Sequence, residues 1–455
     1  ATQNIGNGSY STADPYVKEV WDGRYTGIRM CNELLENIDR VPDLDPELKK
    51  RYIGEAKVLR AYNYYELYTK FGDVPYTTKV LSIKESMSIA RTAKATVIAN
   101  VLADLDEVIN GNYLPTSYDA DNKGRITRWA AMAIKAKIYL FEGNWTQVKN
   151  ITSTIMTEGG FKLFGSYAGL FEIANEYNSE VILDAQYRPT SREHQMMYVF
   201  LPPTLGGYSQ LSPLQELVDR YIMLDGKTIK ETGTSFDESH PYANRDPRLK
   251  ATVMYTGNSY TLADGTEVVI NCEKGEGKDG YGVGSDCSAT GYYIKKYWDN
   301  TYRATLYSGL NPILIRYADI LLMNAEALAE LGELDKTAWD ATIKPIRDRA
   351  GFTLASALEF PEGASKDKLI EIVRNERRSE LALEGHRHKD IIRWRIADNV
   401  LNGWCHGLKT NDVVGTDDGY VRVENRTFNA NKHYLWPIPQ AERDLNGNLE
   451  QNPNW

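Results

Sequence analysis

Helical periodicity is the feature that most constrains the fold of this chain, because it fills two blocks and is lost between them. Apolar residues recur at helical spacing from about residue 14 to residue 160, and again from Ile313 to about Arg395. In the intervening segment Gly, Ser, Asn and Tyr become frequent, and short strand-like runs such as 180–183 occur. The pattern predicts a mostly α-helical protein that carries a large irregular insertion with short β-strands.

Cap residues mark where several of these helices begin and end. Asp14-Pro15 and Asp45-Pro46 each place an N-cap residue before a proline that suits the first helical position. Gly111 follows an amphipathic stripe and is a natural stop. We therefore expect helices that begin after Asp14 and Asp45, and one that ends at Gly111.

A faint internal repeat indicates how the helices are arranged. Gly143 comes seven positions after Ala136, and Gly332 comes seven positions after Ala325. One helical pattern ends at each glycine and another follows. This arrangement is typical of the helix–turn–helix pairs in tetratricopeptide arrays. The sequence therefore predicts a scaffold of tetratricopeptide-like helical pairs.

The loss of helical periodicity in parts of the chain also predicts which segments carry function. Long segments without a regular period are usually functional in a compact protein. We expect the helical scaffold at about 14–160 and 311–396, completed by 433–455. We expect the loop-rich ligand-binding insertion at about 161–310 and 397–432.

Charge and hydropathy argue against two classes of protein. Acidic residues exceed basic ones, 62 to 53, and a nucleic-acid binder would need clustered Lys and Arg. No stretch approaches 18 consecutive apolar residues, so no membrane-spanning segment is expected. The polar start contains no signal peptide, so we expect any lipid anchor to be absent from this chain.

Motifs that could hold a metal or a cofactor are incomplete. Residues 119–124 begin like an EF-hand, but Lys123 and Ala130 occupy positions that should supply ligands. His386 and His388 lie two residues apart, whereas a zinc-binding helix places two His ligands four apart. No phosphate-binding glycine motif or nucleophile elbow occurs. We expect neither a metal nor a cofactor.

The densest charged cluster, at 374–385, invites a catalytic interpretation. Glu376, Glu380 and Glu384 share a helix face, and paired carboxylates carry out acid–base catalysis in glycosidases. Basic residues close in sequence could pair with them: Arg377, Arg387 and Arg393. We favour an ion-paired seam between helices and expect no catalytic residue. A helical glycoside hydrolase or lyase is the less favoured alternative.

Four cysteines form no C-x-x-C pair. Cys31 lies in a helical pattern and is expected to be a buried thiol. Cys272 and Cys287 bracket a Gly-rich loop, where we predict a disulfide, although Cys405 could compete for either partner. Closing a loop of about 15 residues would contribute about 3 kcal/mol in the chain-entropy model.

Sequence blocks along nearly the whole chain carry a family resemblance. The strongest are RYADILLMNAEA at 316–327 and ERRSEL at 376–381. The others lie at 29–32, 54–62, 71–75, 179–182, 225–226, 245–249, 384–387, 393–394, 436–439 and 451–455. In this order they resemble the SusD/RagB family of outer-membrane lipoproteins from Bacteroidetes bacteria.

The resemblance implies a fold and a role. It implies one domain over residues 1–455, with tetratricopeptide-like helical pairs and a lid role over a TonB-dependent transporter. It further implies a lipid-anchored protein on the extracellular face of the outer membrane, which captures an oligosaccharide and delivers it to a TonB-dependent, SusC-like transporter. The same scaffold could instead capture peptide or another nutrient.

A glycan site should combine flat aromatic rings with short polar side chains on loops. One candidate region begins at Tyr76, where the resembling family commonly contributes to its glycan site. The other precedes the helix expected at Ile313. Its predicted ligand-binding residues are Tyr281, Tyr292, Trp298, Asn300, Tyr302 and Arg303. Trp298 is the strongest candidate, and the competing interpretation is that it packs inward beside Lys296 and Tyr297.

Overall fold

The computed structural model describes residues 2–301 and 305–455. They fall into two units. The first contains Ala1–Ile155, His388–Gly403 and Arg426–Trp455, and the second contains Met156–Arg387 and Trp404–Asn425. The two helical blocks expected to share one scaffold thus lie mainly in different units. The single domain over 1–455 stays a prediction.

The first unit is helical, and its helices begin where the cap residues predicted. The Asp14 side chain accepts a hydrogen bond from Tyr16 N, and that of Asp45 accepts one from Leu48 N. The α-helices in or entering this unit are Thr2–Asn7, Pro15–Asn37, Pro46–Phe71, Ile83–Ser86, Lys94–Asn110, Arg128–Phe141, Trp145–Glu158, Arg387–Arg393, Ala397–Val400 and Gln440–Leu445. The expected stop at Gly111 is confirmed.

The core of the first unit lies between four consecutive long helices. Helix Pro15–Asn37 packs on Pro46–Phe71, which also packs on Lys94–Asn110. Helix Arg128–Phe141 packs on both of these last two, and its alanines are fully buried. Small side chains on this helix let the backbones approach closely.

The second unit combines helices with short strands. Its α-helices are Met196–Phe200, Gln215–Val218, Pro247–Thr252, Tyr317–Leu331, Lys336–Ala350, Ala355–Leu358 and Lys366–Glu380. Its antiparallel pairs join Val181–Asp184 to Ile313–Arg316, Val253–Met254 to Tyr293–Ile294, and Ser259–Thr261 to Glu267–Val269. Strands Gly403–Lys409, Thr416–Asp417 and Tyr420–Arg426 form a three-stranded sheet in which Tyr420–Arg426 is central.

The fold class is confirmed, since α-helices outweigh short strands over residues 2–301 and 305–455. Gly332, with φ of +73°, ends helix Tyr317–Leu331, and Lys336–Ala350 follows and packs against it. Within the described part of the chain, no helix combines the length and the apolar character needed to cross a bilayer.

One helix starts later than the sequence predicted. Residues Ile313–Arg316 form a strand, and the helix begins at Tyr317. The β-branched Ile313 and Ile315 are buried and suit a strand. Because they pair with Val181–Asp184, tertiary pairing overrides the helical pattern there.

The carboxylates of the charged cluster are buried and ion-paired. Glu376 lies 2.7 Å from Arg248 and 2.8 Å from Arg347. Glu380 contacts Arg316, Arg248 and Arg349. Burial alone would raise the pKa of Glu376, but the charges of Arg248 and Arg347 hold it below its ordinary value. The ion-paired interpretation is confirmed, although these partners are distant in sequence from the arginines we expected.

Candidate ligand-binding cleft

A cleft of about 890 Å³ opens in the second unit. This volume falls within the usual range for sites that bind small molecules. Five aromatic side chains line it: Phe236, Tyr242, Tyr255, Tyr292 and Tyr420. We call it the tyrosine cleft.

Two of the tyrosines form a stacked pair. The rings of Tyr242 and Tyr255 are nearly parallel, with centroids 4.0 Å apart and an interplanar angle of 18°. Tyr255 directly follows strand Val253–Met254. Tyr242 is placed by Arg245, whose guanidinium donates to the backbone oxygens of Val218, Tyr221 and Pro241. Both rings are half-buried, so the pair forms a fixed aromatic surface.

A hydrogen-bond chain fixes the inner side of the cleft. The Tyr292 hydroxyl donates to Gln215 Oε1 at 2.5 Å, and Gln215 Nε2 donates to Asp219 at 2.7 Å. The hydroxyls of Tyr242 and Tyr292 lie 3.2 Å apart. Because Tyr292 uses its proton on Gln215, Tyr242 is the donor between them. Burial raises the pKa of Tyr242 to about 12, so this phenol stays neutral.

A glycine lets the opposite wall approach. Gly291 has a φ of +72°, and a Cβ there would lie 1.7 Å from Leu408 Cδ2. Leu408 N donates to Thr290 O at 2.7 Å, which joins strand Gly403–Lys409 to this segment. The strand therefore brings its end, and the neighbouring Tyr420, to the cleft.

Charged side chains surround the aromatic surface. Lys409 pairs with Glu238 at 2.8 Å, and Lys274 pairs with Asp412 at 2.5 Å. Glu273 and Glu276 line the cleft and are exposed to solvent. An aromatic surface with a polar rim suits a ligand that has apolar faces and many hydroxyls.

Of the predicted ligand-binding residues that the structure describes, Tyr292 is the one that lines this cleft. Tyr292 is buried, so its ring offers little surface for stacking, and its main contribution is the hydrogen bond between its hydroxyl and that of Tyr242. Trp298 is only 9% exposed, packs against Tyr260 and donates its Nε1–H to Thr261 O at 2.8 Å. The structure thus shows the inward packing of Trp298 that was the alternative to a role in ligand binding.

The other predicted residues lie elsewhere. Tyr76 belongs to the first unit, where it is half-buried and its ring centroid lies 4.7 Å from that of Tyr64. Tyr281 packs against the core of the second unit, and Asn300 is half-buried. Tyr302 and Arg303 lie outside the described residues. Their ligand roles stay predictions.

The predicted disulfide is not formed, because all four cysteines are free thiols. Cys272 is buried in the hydrophobic core, and burial raises the pKa of its thiol. The Cys287 thiol instead donates to Lys278 O at 3.3 Å. Backbone hydrogen bonds, such as the one from Tyr281 N to Cys272 O at 3.1 Å, join parts of the Gly-rich loop.

Sequence reasoning missed four of the five aromatic residues in the cleft. Phe236, Tyr242 and Tyr255 flank the 245–249 block, which carries part of the family resemblance. Tyr420 lies far away in sequence. All four nevertheless fall within the segments at 161–310 and 397–432. The density of aromatic residues within those segments was therefore the one sequence signal that could have indicated them.

Two family models match the chain. The model of the SusD family matches residues 170–455. A second, described as starch-binding and associating with the outer membrane, matches residues 2–140. Together they account for most of the sequence.

Individual relatives agree with these matches. SusD-like protein P25 of Formosa agariphila is 28% identical over 409 residues, which cover 85% of this chain and 71% of that protein. A SusD-like protein structure from Bacteroides fragilis has a TM-score of 0.85 at 28% identity, covering 99% of this chain and 89% of that one. A SusD-like carbohydrate binding protein from the same organism has a TM-score of 0.88 at 28% identity, covering 98% and 88%.

Proposed function

The chain belongs to the SusD family, and on that premise we propose that it binds a glycan in the tyrosine cleft without converting it. The observation that carries this proposal is the stacked pair of Tyr242 and Tyr255 on the wall of the cleft. Sugar rings present apolar C–H faces that pack on aromatic rings, and hydroxyls that bond to polar side chains. The names of a carbohydrate-binding relative and of a starch-binding family model support the same ligand class.

The proposal of binding without catalysis rests on the state of the carboxylates. Glycosidases keep one carboxylic acid protonated by an apolar surrounding. In the cleft, Glu238 and Asp412 are ion-paired, whereas Glu273 and Glu276 are exposed. Neither situation favours a general acid.

We further propose that the protein is lipid-anchored on the outer face of the outer membrane and delivers its oligosaccharide to a TonB-dependent transporter. Family membership supports this proposal, as does the description of the model that matches residues 2–140. Purification from native membranes should recover such a transporter together with this chain. Recovery of the chain alone, under conditions that preserve other membrane complexes, would contradict it.

A panel experiment tests the ligand class. Native gels containing neutral polysaccharides, starch among them, or acidic polysaccharides should retard the protein in at least one case. A peptide digest, the alternative nutrient, should not compete. Reducing-sugar assays on the bound polysaccharide should stay at background. Product release that is abolished by Glu273→Gln or Glu276→Gln would overturn the proposal.

A further inference from the structure

The first unit contains a separate cavity of about 520 Å³. It is lined near the start of helix Pro46–Phe71 by Arg51, and at the start of helix Arg128–Phe141 by Arg128. Tyr113 contributes an aromatic side chain from the loop that follows helix Lys94–Asn110. We call it the arginine cavity.

Its two arginines have unsatisfied donors. The Nε atoms of Arg51 and Arg128 are both buried and lack a hydrogen-bond partner. Among the residues that the structure describes, neither guanidinium forms an ion pair. Arg125 contrasts with them, because it binds Glu55 with two hydrogen bonds, of 2.8 and 2.6 Å. The other guanidinium nitrogens of Arg51 and Arg128 also form no hydrogen bond within the described residues. The cavity is therefore lined by two positive groups without an acceptor, an arrangement that suits an anion.

The carboxylates that line the same cavity do not neutralise the arginines. Asp45 accepts a hydrogen bond from Leu48 N at 2.8 Å and so caps its own helix. Glu47 is exposed to solvent. Both arginines therefore keep donors available to a ligand.

The arginine side chains are held in place by groups that leave their charge intact. The Arg51 guanidinium lies 5.7 Å from the ring centroid of Tyr52 and 5.7 Å from that of Tyr118. Such cation–π contacts fix a guanidinium without removing its charge. Arg128 occupies the first position of a 14-residue helix, where the helix dipole adds to its positive field.

We propose that the arginine cavity binds an oxyanion, either a carboxylate or a sulfate ester, carried by an acidic saccharide. A guanidinium presents paired N–H donors that match both groups. The half-buried ring of Tyr113 supplies a surface for the sugar that carries the anion. The saccharide part of this ligand rests on the proposed function, whereas the oxyanion part does not.

Calorimetry on the full chain at low ionic strength tests the proposal with sodium sulfate, sodium glucuronate and glucose. At least one oxyanion should bind and glucose should not bind at this cavity. Binding of sulfate alone identifies a sulfate ester as the source, and binding of glucuronate alone identifies a carboxylate. The double variant R51Q/R128Q should weaken binding at least about tenfold, since both charged donors are lost.

Two further variants keep the test decisive. R51K/R128K retains both positive charges but lacks the paired N–H donors of a guanidinium, so its affinity for the oxyanion should lie between those of wild type and R51Q/R128Q. This variant still tests the proposal if R51Q/R128Q fails to fold. Arg40→Gln removes an exposed arginine of the same unit and should change nothing. The proposal would be overturned if neither anion binds to wild type, or if the double variants bind an anion with wild-type affinity. Sulfate is titrated without any glycan, so its binding does not depend on the tyrosine cleft, and failure of the cleft proposal is recognised separately by the glycan-binding assay.

Discussion

Replacing Glu380 with Gln tests whether the buried carboxylates have a structural role. In the described residues, five basic and five acidic side chains form one connected network, so the charges balance. Glu380 is fully buried and contacts Arg316, Arg248 and Arg349. Gln keeps the shape but leaves one positive charge uncompensated. Breaking a buried pair in this way costs about 3–5 kcal/mol.

Thermal unfolding followed by circular dichroism measures this cost. For a unit of this size, the loss corresponds to a fall in Tm of roughly 10 °C. Glu371 lies on the same helix, is 62% exposed and pairs with Lys368, so Glu371→Gln is the matched control. An exposed ion pair contributes about 0–1 kcal/mol. If both variants unfold alike, the buried network does not stabilise the fold and the reasoning is wrong.

Three further predictions concern single side chains. Burial lowers the pKa of His388 to about 4, so the stabilising contribution of the neutral ring is complete above the unfolded-state pKa and is lost as the pH falls. In urea titrations between pH 7 and pH 5, the free energy of unfolding of wild type should therefore fall by about 2 kcal/mol more than that of His388→Gln. Equal losses in the two proteins would contradict this. Thiol labelling of the unreduced, native protein should modify Cys287 and should reach Cys272 only after unfolding. An intact-protein mass lower by two hydrogens than that of the reduced protein would instead reveal a disulfide. Gly291→Ala should cost at least about 2 kcal/mol more than Gly282→Ala, because both glycines have positive φ but only the first would collide with a core leucine; equal stability of the two variants would refute the predicted collision.

The helices could be predicted because their signals are local. Asp14 and Asp45 cap helices whose apolar stripes lie within a few turns, and Gly332 terminates one by its own conformation. The family resemblance was confirmed for the same reason, since its blocks are continuous in sequence. The strand Ile313–Arg316 was missed because its partner, Val181–Asp184, lies far away in the chain.

The candidate cleft could be predicted only as a region. Tyr242 and Tyr255 come together because Arg245 and strand Val253–Met254 position them, and no spacing rule encodes that contact. Trp298 shows the opposite difficulty. Its aromatic ring and polar neighbours looked suited to binding, but the buried hydrogen bond to Thr261 depends on tertiary packing. Sequence composition cannot separate an exposed ring from a buried one.

Calorimetry with the glycan that retards the protein in native gels is the most direct test of the central claim. Tyr255→Ala removes half of the stacked pair and should weaken binding about tenfold, which corresponds to about 1.4 kcal/mol. Tyr307→Ala removes an exposed tyrosine of the same unit that does not line the cleft, and should bind like wild type. Wild-type affinity in Tyr255→Ala would show that the tyrosine cleft is not the glycan site.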